Sequence, residues 1–106
     1  MSIKQKINSP SLWLKNFPWK KKKHHKYSRG KLVVVGGQPN MAGATILASE
    51  AALRVGIGSV KIICSKKTLP IYSLKFPSSL KEVIINLKSF KKLIIKEKNS
   101  VFLIGP

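Results

Sequence analysis

Glu50, Glu82 and Glu97 are the only acidic side chains among the 106 residues, and aspartate is absent. The two histidines are neighbours, His24 and His25, and Cys64 is the single cysteine. A paired-carboxylate hydrolase, a Ser-His-Asp relay and an aspartate-held magnesium site all need carboxylates that this chain lacks. Adjacent histidines cannot share one helical face, and neither an aspartate nor a second thiol accompanies them, so no metal site is assigned. Cys64 cannot form an internal disulfide. At a strand end without a base beside it, the thiol reads as buried filler. No catalytic residue is assigned.

What remains is backbone chemistry. Gly36-Gly37 lies between an apolar run and a helical pattern, where small residues let a ligand approach the main chain. The continuation Gln38-Pro39-Asn40-Met41-Ala42-Gly43 matches neither the Gly-x-Gly-x-x-Gly fingerprint nor a Walker loop. A purely structural turn is the competing reading. Gly56-Ile57-Gly58 reads as a helix terminator and strand entrance, not a phosphate cradle.

Those glycines must be held by regular elements. Leu32-Val33-Val34-Val35 is apolar on both faces, as expected of a strand inside a parallel sheet. Asn40 is placed to cap the following helix. From Gly43 to Val55 the spacing predicts a helix, with Ala44, Leu47, Ala48, Ala51, Ala52 and Val55 as one small-residue stripe facing the sheet. Thr45, Ser49, Glu50 and Arg54 fall off that stripe. Glu50 and Arg54 form an i,i+4 pair worth about 0.2–0.5 kcal/mol. Ser59–Cys64 reads as the next strand, completing a βαβ unit. Residues 66–76 read as a short helix or a loop interrupted by Pro70. Val83-Ile84-Ile85 is a further strand, 88–98 an amphipathic helix, and Val101–Ile104 a last buried strand.

The formal charge is +18, from 21 basic residues of which only Arg29 and Arg54 are arginine. Scattered lysines without arginine forks disfavour nucleic-acid readout. The dense block Lys20–Lys26 keeps one alternative open, a small basic module binding RNA or another polyanion. Hydrophobic residues make up 43%, too many for a disordered chain. No apolar run is long enough to span a bilayer, and no secretory h-region precedes Pro10. A cytoplasmic location is expected. Trp13, Leu14, Phe17 and Trp19 are expected to pack onto something larger.

The order of these pieces resembles a known family. The segments are His25-Lys26-Tyr27-Ser28-Arg29-Gly30, Leu32-Val33-Val34-Val35-Gly36-Gly37, Gly43-Ala44, Ala51-Ala52-Leu53-Arg54-Val55-Gly56-Ile57-Gly58 and Leu103-Ile104-Gly105-Pro106. Together they are similar to the N-terminal part of the ADP/ATP-dependent NAD(P)H-hydrate dehydratases, a branch of the ribokinase-like superfamily. The resemblance implies repair of hydrated NADH or NADPH: the damaged ring is phosphorylated from ADP or ATP, with Mg, and phosphate is then eliminated. It implies that Gly36, Gly37, Gly43 and Ala44 line the hydrated-dinucleotide site and that Gly105 belongs to a second substrate loop. His25, Lys26 and Arg29 would mainly stabilise the fold. In the family, the nucleotide loop and the Gly-Asp pair carrying the catalytic base lie downstream of the Gly-Pro-Gly loop, beyond Pro106.

The expected fold is therefore α/β, an incomplete ribokinase-like three-layer domain with a mostly parallel sheet. Residues 1–30 are expected to form a basic, aromatic leader, and residues 31–106 the N-terminal part of the dehydratase-like domain. Because the chain stops inside the last motif, it is expected to be inactive alone, as a fragment, a remnant or one half of a split enzyme with a complementary chain as partner.

Overall fold

The computed structural model describes residues 3–17 and 29–105. Lys20–Lys26, both histidines and Trp19 lie outside the described residues. Four strands, β1 (Lys31–Val35), β2 (Ser59–Cys64), β3 (Leu80–Val83) and β4 (Val101–Leu103), make one sheet in the order β3-β2-β1-β4. Every pairing is parallel, with Val34 opposite Ile62 on one side and Leu103 on the other. Three α-helices connect the strands: α1 (Ala42–Val55), α2 (Leu69–Lys75) and α3 (Leu87–Lys96).

Strand alternation divides the core. Val34, Val60, Ile62 and Cys64 turn toward α1 and α2, where they meet Ala42, Tyr72 and Phe76. Val33 and Ile63 turn the other way, onto Leu93 of α3. Helices thus cover both faces of a parallel sheet, giving three layers, and this is why Leu32–Val35 carries no polar side chain and β2 admits Lys61 only with Glu82 and Glu97 as partners.

The helix ends follow local chemistry. Gly56 ends α1 with φ +115°, and its N–H donates to the carbonyls of Ala52 and Leu53. Pro70 does not interrupt α2; it sits in the first turn, where no intrahelical N–H is needed. Asn86 caps α3 in a reciprocal capping box with Ser89.

Several expectations are corrected. The sheet-facing side of α1 is built from Ala42, Thr45 and Ser49, with Ile46, Ala52 and Leu53 beside them, while Leu47 and Val55 are exposed. Of the anticipated stripe, Ala52 alone packs against that core cluster. Small hydroxyl side chains allow the same close approach as alanine, and Thr45 has a backbone partner in Gly37. Asn40 does not cap α1: a 3₁₀ turn over Pro39–Met41 leads into the helix instead. The third strand is Leu80–Val83, three residues earlier than the apolar run, because the charges of Lys81 and Glu82 find partners within the fold. In the leader, Leu12, Trp13 and Leu14 are exposed, and Trp13 lies against Phe17 with ring centroids 5.8 Å apart.

Candidate functional site

In this strand order the chain leaves β1 toward β2 on one side and later returns from β3 to β4 on the other. In open parallel sheets such a reversal of strand order is where covering helices part and a crevice forms at the carboxyl ends of the strands, here those of β1 and β4. Gly36 and Gly37 follow β1, and Gly105 follows β4, so the pairing of Val34 with Leu103 sets the two loops side by side. Gly43 and Ala44 occupy the first turn of α1. All five residues named from the sequence therefore belong to the same end of the sheet.

The loop after β1 is fixed from three directions. The Gly36 N–H donates to the Ile63 carbonyl at 2.8 Å. The Gly37 N–H donates to Thr45 Oγ1 at 3.3 Å, and the Tyr72 hydroxyl donates to the Gly37 carbonyl at 3.4 Å. A Cβ on Gly37 would come within 3.1 Å of Met41 Cβ. Gly105 has φ +99°, the left-handed region that favours glycine. At Gly43 a Cβ would meet nothing within 4 Å, so this turn of α1 opens onto free space. Thr45 and Tyr72 were missed in the sequence. Nothing local marks Tyr72, whereas Thr45 shares i,i+4 spacing with Ser49.

Below this end, on the α3 face, a cavity of about 580 Å³ is lined by Val35, Gly36, Ile63, Ile84, Phe90 and Ile104, among others. Cys64 lies at its edge and is buried. Burial pushes the thiol's pKa up, more than the Thr68 hydrogen bond and the Lys81 charge lower it.

The carboxylates are committed elsewhere. Glu97 accepts from Lys61 at 2.7 Å and pairs with Lys31 at 2.8 Å, and Ser100 donates to it at 3.1 Å. Glu82 pairs with Lys61 at 3.0 Å and Lys96 at 2.9 Å. Burial by itself would raise the Glu97 pKa, but the lysine and serine hydrogen bonds outweigh it and bring it down to about 2. The same balance lowers Glu82 and raises Lys61. Glu50 pairs with Arg54 at 3.0 Å. Among the described residues no group of three or more His, Cys, Asp or Glu is gathered. With every glutamate engaged by a cation, these residues do not fit a magnesium ion.

Arg29 and Gly30 serve the frame. The Gly30 carbonyl accepts from Gly58 and Ser59, and the Arg29 guanidinium lies over Gly56 at the C-terminal end of α1, where the helix dipole favours a cation.

The sequence profile of the NAD(P)H-hydrate dehydratase family matches residues 32–106, from β1 to the last residue. The chain belongs to that family. It is 38% identical over 55 residues to the ADP-dependent (S)-NAD(P)H-hydrate dehydratase of Xanthomonas campestris, covering 52% of this chain and 19% of the relative. It is 30% identical over 91 residues to the Staphylococcus aureus protein of the same name, covering 86% of this chain and 32% of that one. A ribokinase-like superfamily protein from Enterococcus faecalis superposes with a TM-score of 0.67 at 24% identity, over 83% of this chain and 30% of that structure. This likeness shows the ribokinase-like fold. The dehydratase-family chain thus spans a third or less of these relatives. No helix among the described residues is long and apolar enough to cross a membrane.

Proposed function

We propose that this chain forms the dinucleotide-contacting part of an ADP- or ATP-dependent NAD(P)H-hydrate dehydratase. In this reading phosphoryl transfer and phosphate elimination need a nucleotide loop and an aspartate base that residues 1–106 do not supply. The observation that carries the reading is the convergence of Gly36-Gly37 and Gly105 at the switch point, beside the open first turn of α1. In parallel α/β sheets that crevice is where ligands bind. Glycines there remove side-chain bulk, so a ring or ribose can rest directly on the main chain.

The chain's own residues bind and orient. Thr45 and Tyr72 hold the Gly36-Gly37 loop in shape, and Gly43 and Ala44 provide a surface free of long side chains. With no aspartate among these residues and the glutamates ion-paired, proton abstraction falls to a group outside residues 1–106. Mg and the nucleotide would likewise be held there.

Two measurements test this. Titrating hydrated NADH into the isotopically labelled chain is expected to shift the amide resonances of Gly36, Gly37, Gly43, Ala44 and Gly105, and to leave Lys81 and Glu82 in place. Unmoved glycines overturn the binding role. Incubating residues 1–106 with the hydrate, ADP and Mg is expected to regenerate no NADH absorbance; regeneration by them alone overturns the assignment of the chemistry to groups outside these residues.

A further inference from the structure

The cavity of about 580 Å³ on the α3 face opens off the crevice: Gly36 lines it, and so does Ile104, which leads into Gly105. Its walls are Val35 and Ile63 at the strand ends, Ile84 after β3, and Phe90 of α3. The size lies within the range of about 300–1,000 Å³ usual for sites that bury a small molecule. No carboxylate or amine of the described residues lines it. The three glutamates are held by Lys31, Arg54, Lys61 and Lys96.

A hydrated dinucleotide has two dissimilar ends. The damaged ring carries a hydroxyl on a saturated carbon and a carboxamide, polar groups that an apolar space would strand. That ring must also meet a phosphoryl donor and a base that residues 1–106 do not supply, so it belongs at the open glycine loops. Adenine is planar, uncharged and takes no part in the repair chemistry, and its polar atoms lie along its edge. The lining offers that edge one donor. Asn86 Oδ1 accepts from the Ser89 N–H at 2.9 Å, while the Asn86 amide nitrogen has no hydrogen-bond partner among the described residues. Two further lining residues, Ser65 and Leu87, are followed directly by Lys66-Lys67 and Lys88. These lysines are exposed and enter no ion pair among the described residues, so the pyrophosphate joining the two ends finds uncompensated positive charge.

We propose that this cavity is the adenine subsite of the dinucleotide. The purine lies among Ile63, Ile84 and Phe90, and the Asn86 amide donates to a ring nitrogen. Phe90 supplies the aromatic neighbour. The inference rests on the dinucleotide reading and adds which end of the ligand goes where.

Two ligands separate the ends: hydrated NADH, and hydrated reduced nicotinamide mononucleotide, which has the same damaged ring and no adenosine. Each is titrated into the full chain, labelled at the isoleucine methyls and backbone amides. Hydrated NADH is expected to shift the Ile84 and Ile104 methyls as well as the Gly36 and Gly37 amides. The mononucleotide is expected to shift the glycines alone and to bind about tenfold more weakly. Asn86→Asp keeps a helix-capping oxygen but replaces the amide donor with a carboxylate. It is expected to weaken hydrated NADH by about tenfold and to leave the mononucleotide unchanged. Ile84→Trp, which fills the cavity, is expected to do the same, with circular dichroism confirming the fold of both variants. Equal affinity of the two ligands, or indifference of hydrated NADH to Asn86→Asp, overturns the proposal. So does ADP shifting the Ile84 and Ile104 methyls at lower concentration than hydrated NADH, which would assign the cavity to the phosphoryl donor. Glycine shifts with unmoved Ile84 and Ile104 methyls overturn the adenine subsite alone, whereas unmoved glycines overturn the dinucleotide reading with it.

Discussion

Tyr72 and Gly36 touch so closely that a Cβ added to Gly36 would lie 2.7 Å from the Tyr72 hydroxyl oxygen and 3.0 Å from the Ile63 carbonyl. A buried aromatic from α2 therefore dictates glycine in the loop after β1, a residue choice that ligand binding need not explain. Gly36→Ala is expected to destabilise the chain by about 1–3 kcal/mol. Tyr72→Phe in the same chain removes the nearest atom, so the double variant should lose less than the sum of the two single losses. Urea denaturation of the four proteins measures this.

The inner face of α1 offers a matched pair. Ser49 Oγ is buried with no hydrogen-bond partner, whereas Thr45 Oγ1 accepts from Gly37 N–H. Ser49→Ala removes an unsatisfied polar atom and is expected to stabilise by about 1 kcal/mol. Thr45→Val orphans a backbone donor and is expected to cost about 1–3 kcal/mol. Thermal melts of both variants give the two signs.

Glu97 ties stability to pH. Its folded pKa of about 2 lies below its ordinary value of 4.5, so the unfolded chain takes up the proton first as pH falls. The contribution is complete above pH 4.5 and is lost progressively toward pH 2. It amounts to something on the order of 3 kcal/mol. Glu97→Gln should flatten denaturation curves across that window. At neutral pH it should cost about 3 kcal/mol, because Lys61 keeps only Glu82.

Gly43 separates folding from binding. A Cβ there meets nothing within 4 Å, so Gly43→Ala is expected to stabilise α1 by about 0.5–1 kcal/mol. A bulkier Gly43→Leu should leave the melting temperature near that of the parent chain while abolishing the hydrate-induced shifts of Gly36 and Gly37. Unchanged shifts would remove Gly43 from the site.

The alternation of strand and helix was legible because Leu32–Val35 is apolar on both faces and Ile62-Ile63-Cys64 continues that pattern in the next strand, as burial beneath two layers requires. The orientation of α1 was not. Hydropathy turns serine and threonine outward, and only the fold shows that Thr45 has a donor waiting inside. The true third strand was hidden for a related reason: Lys81 and Glu82 read as surface until Phe76, Ser79 and Lys61 supply their partners. The glycines of the candidate site were found through family resemblance, since two adjacent glycines describe a tight turn as well as a cleft. Tyr72 is separated from Gly37 by more than thirty positions, and no periodicity links them.

The two halves of the cleft come together late along the chain. Pairing β1 with β2 joins Leu32 to Val60, but pairing β1 with β4 joins Leu32 to Val101. The second closure spans more than twice the separation, and each doubling costs about 0.6 kcal/mol of chain entropy. The local βαβ unit is therefore favoured to organise first, with β4 arriving afterwards. A nascent molecule would possess a formed Gly36 turn with no opposing Gly105, so the crevice comes into existence only when β4 zips onto β1.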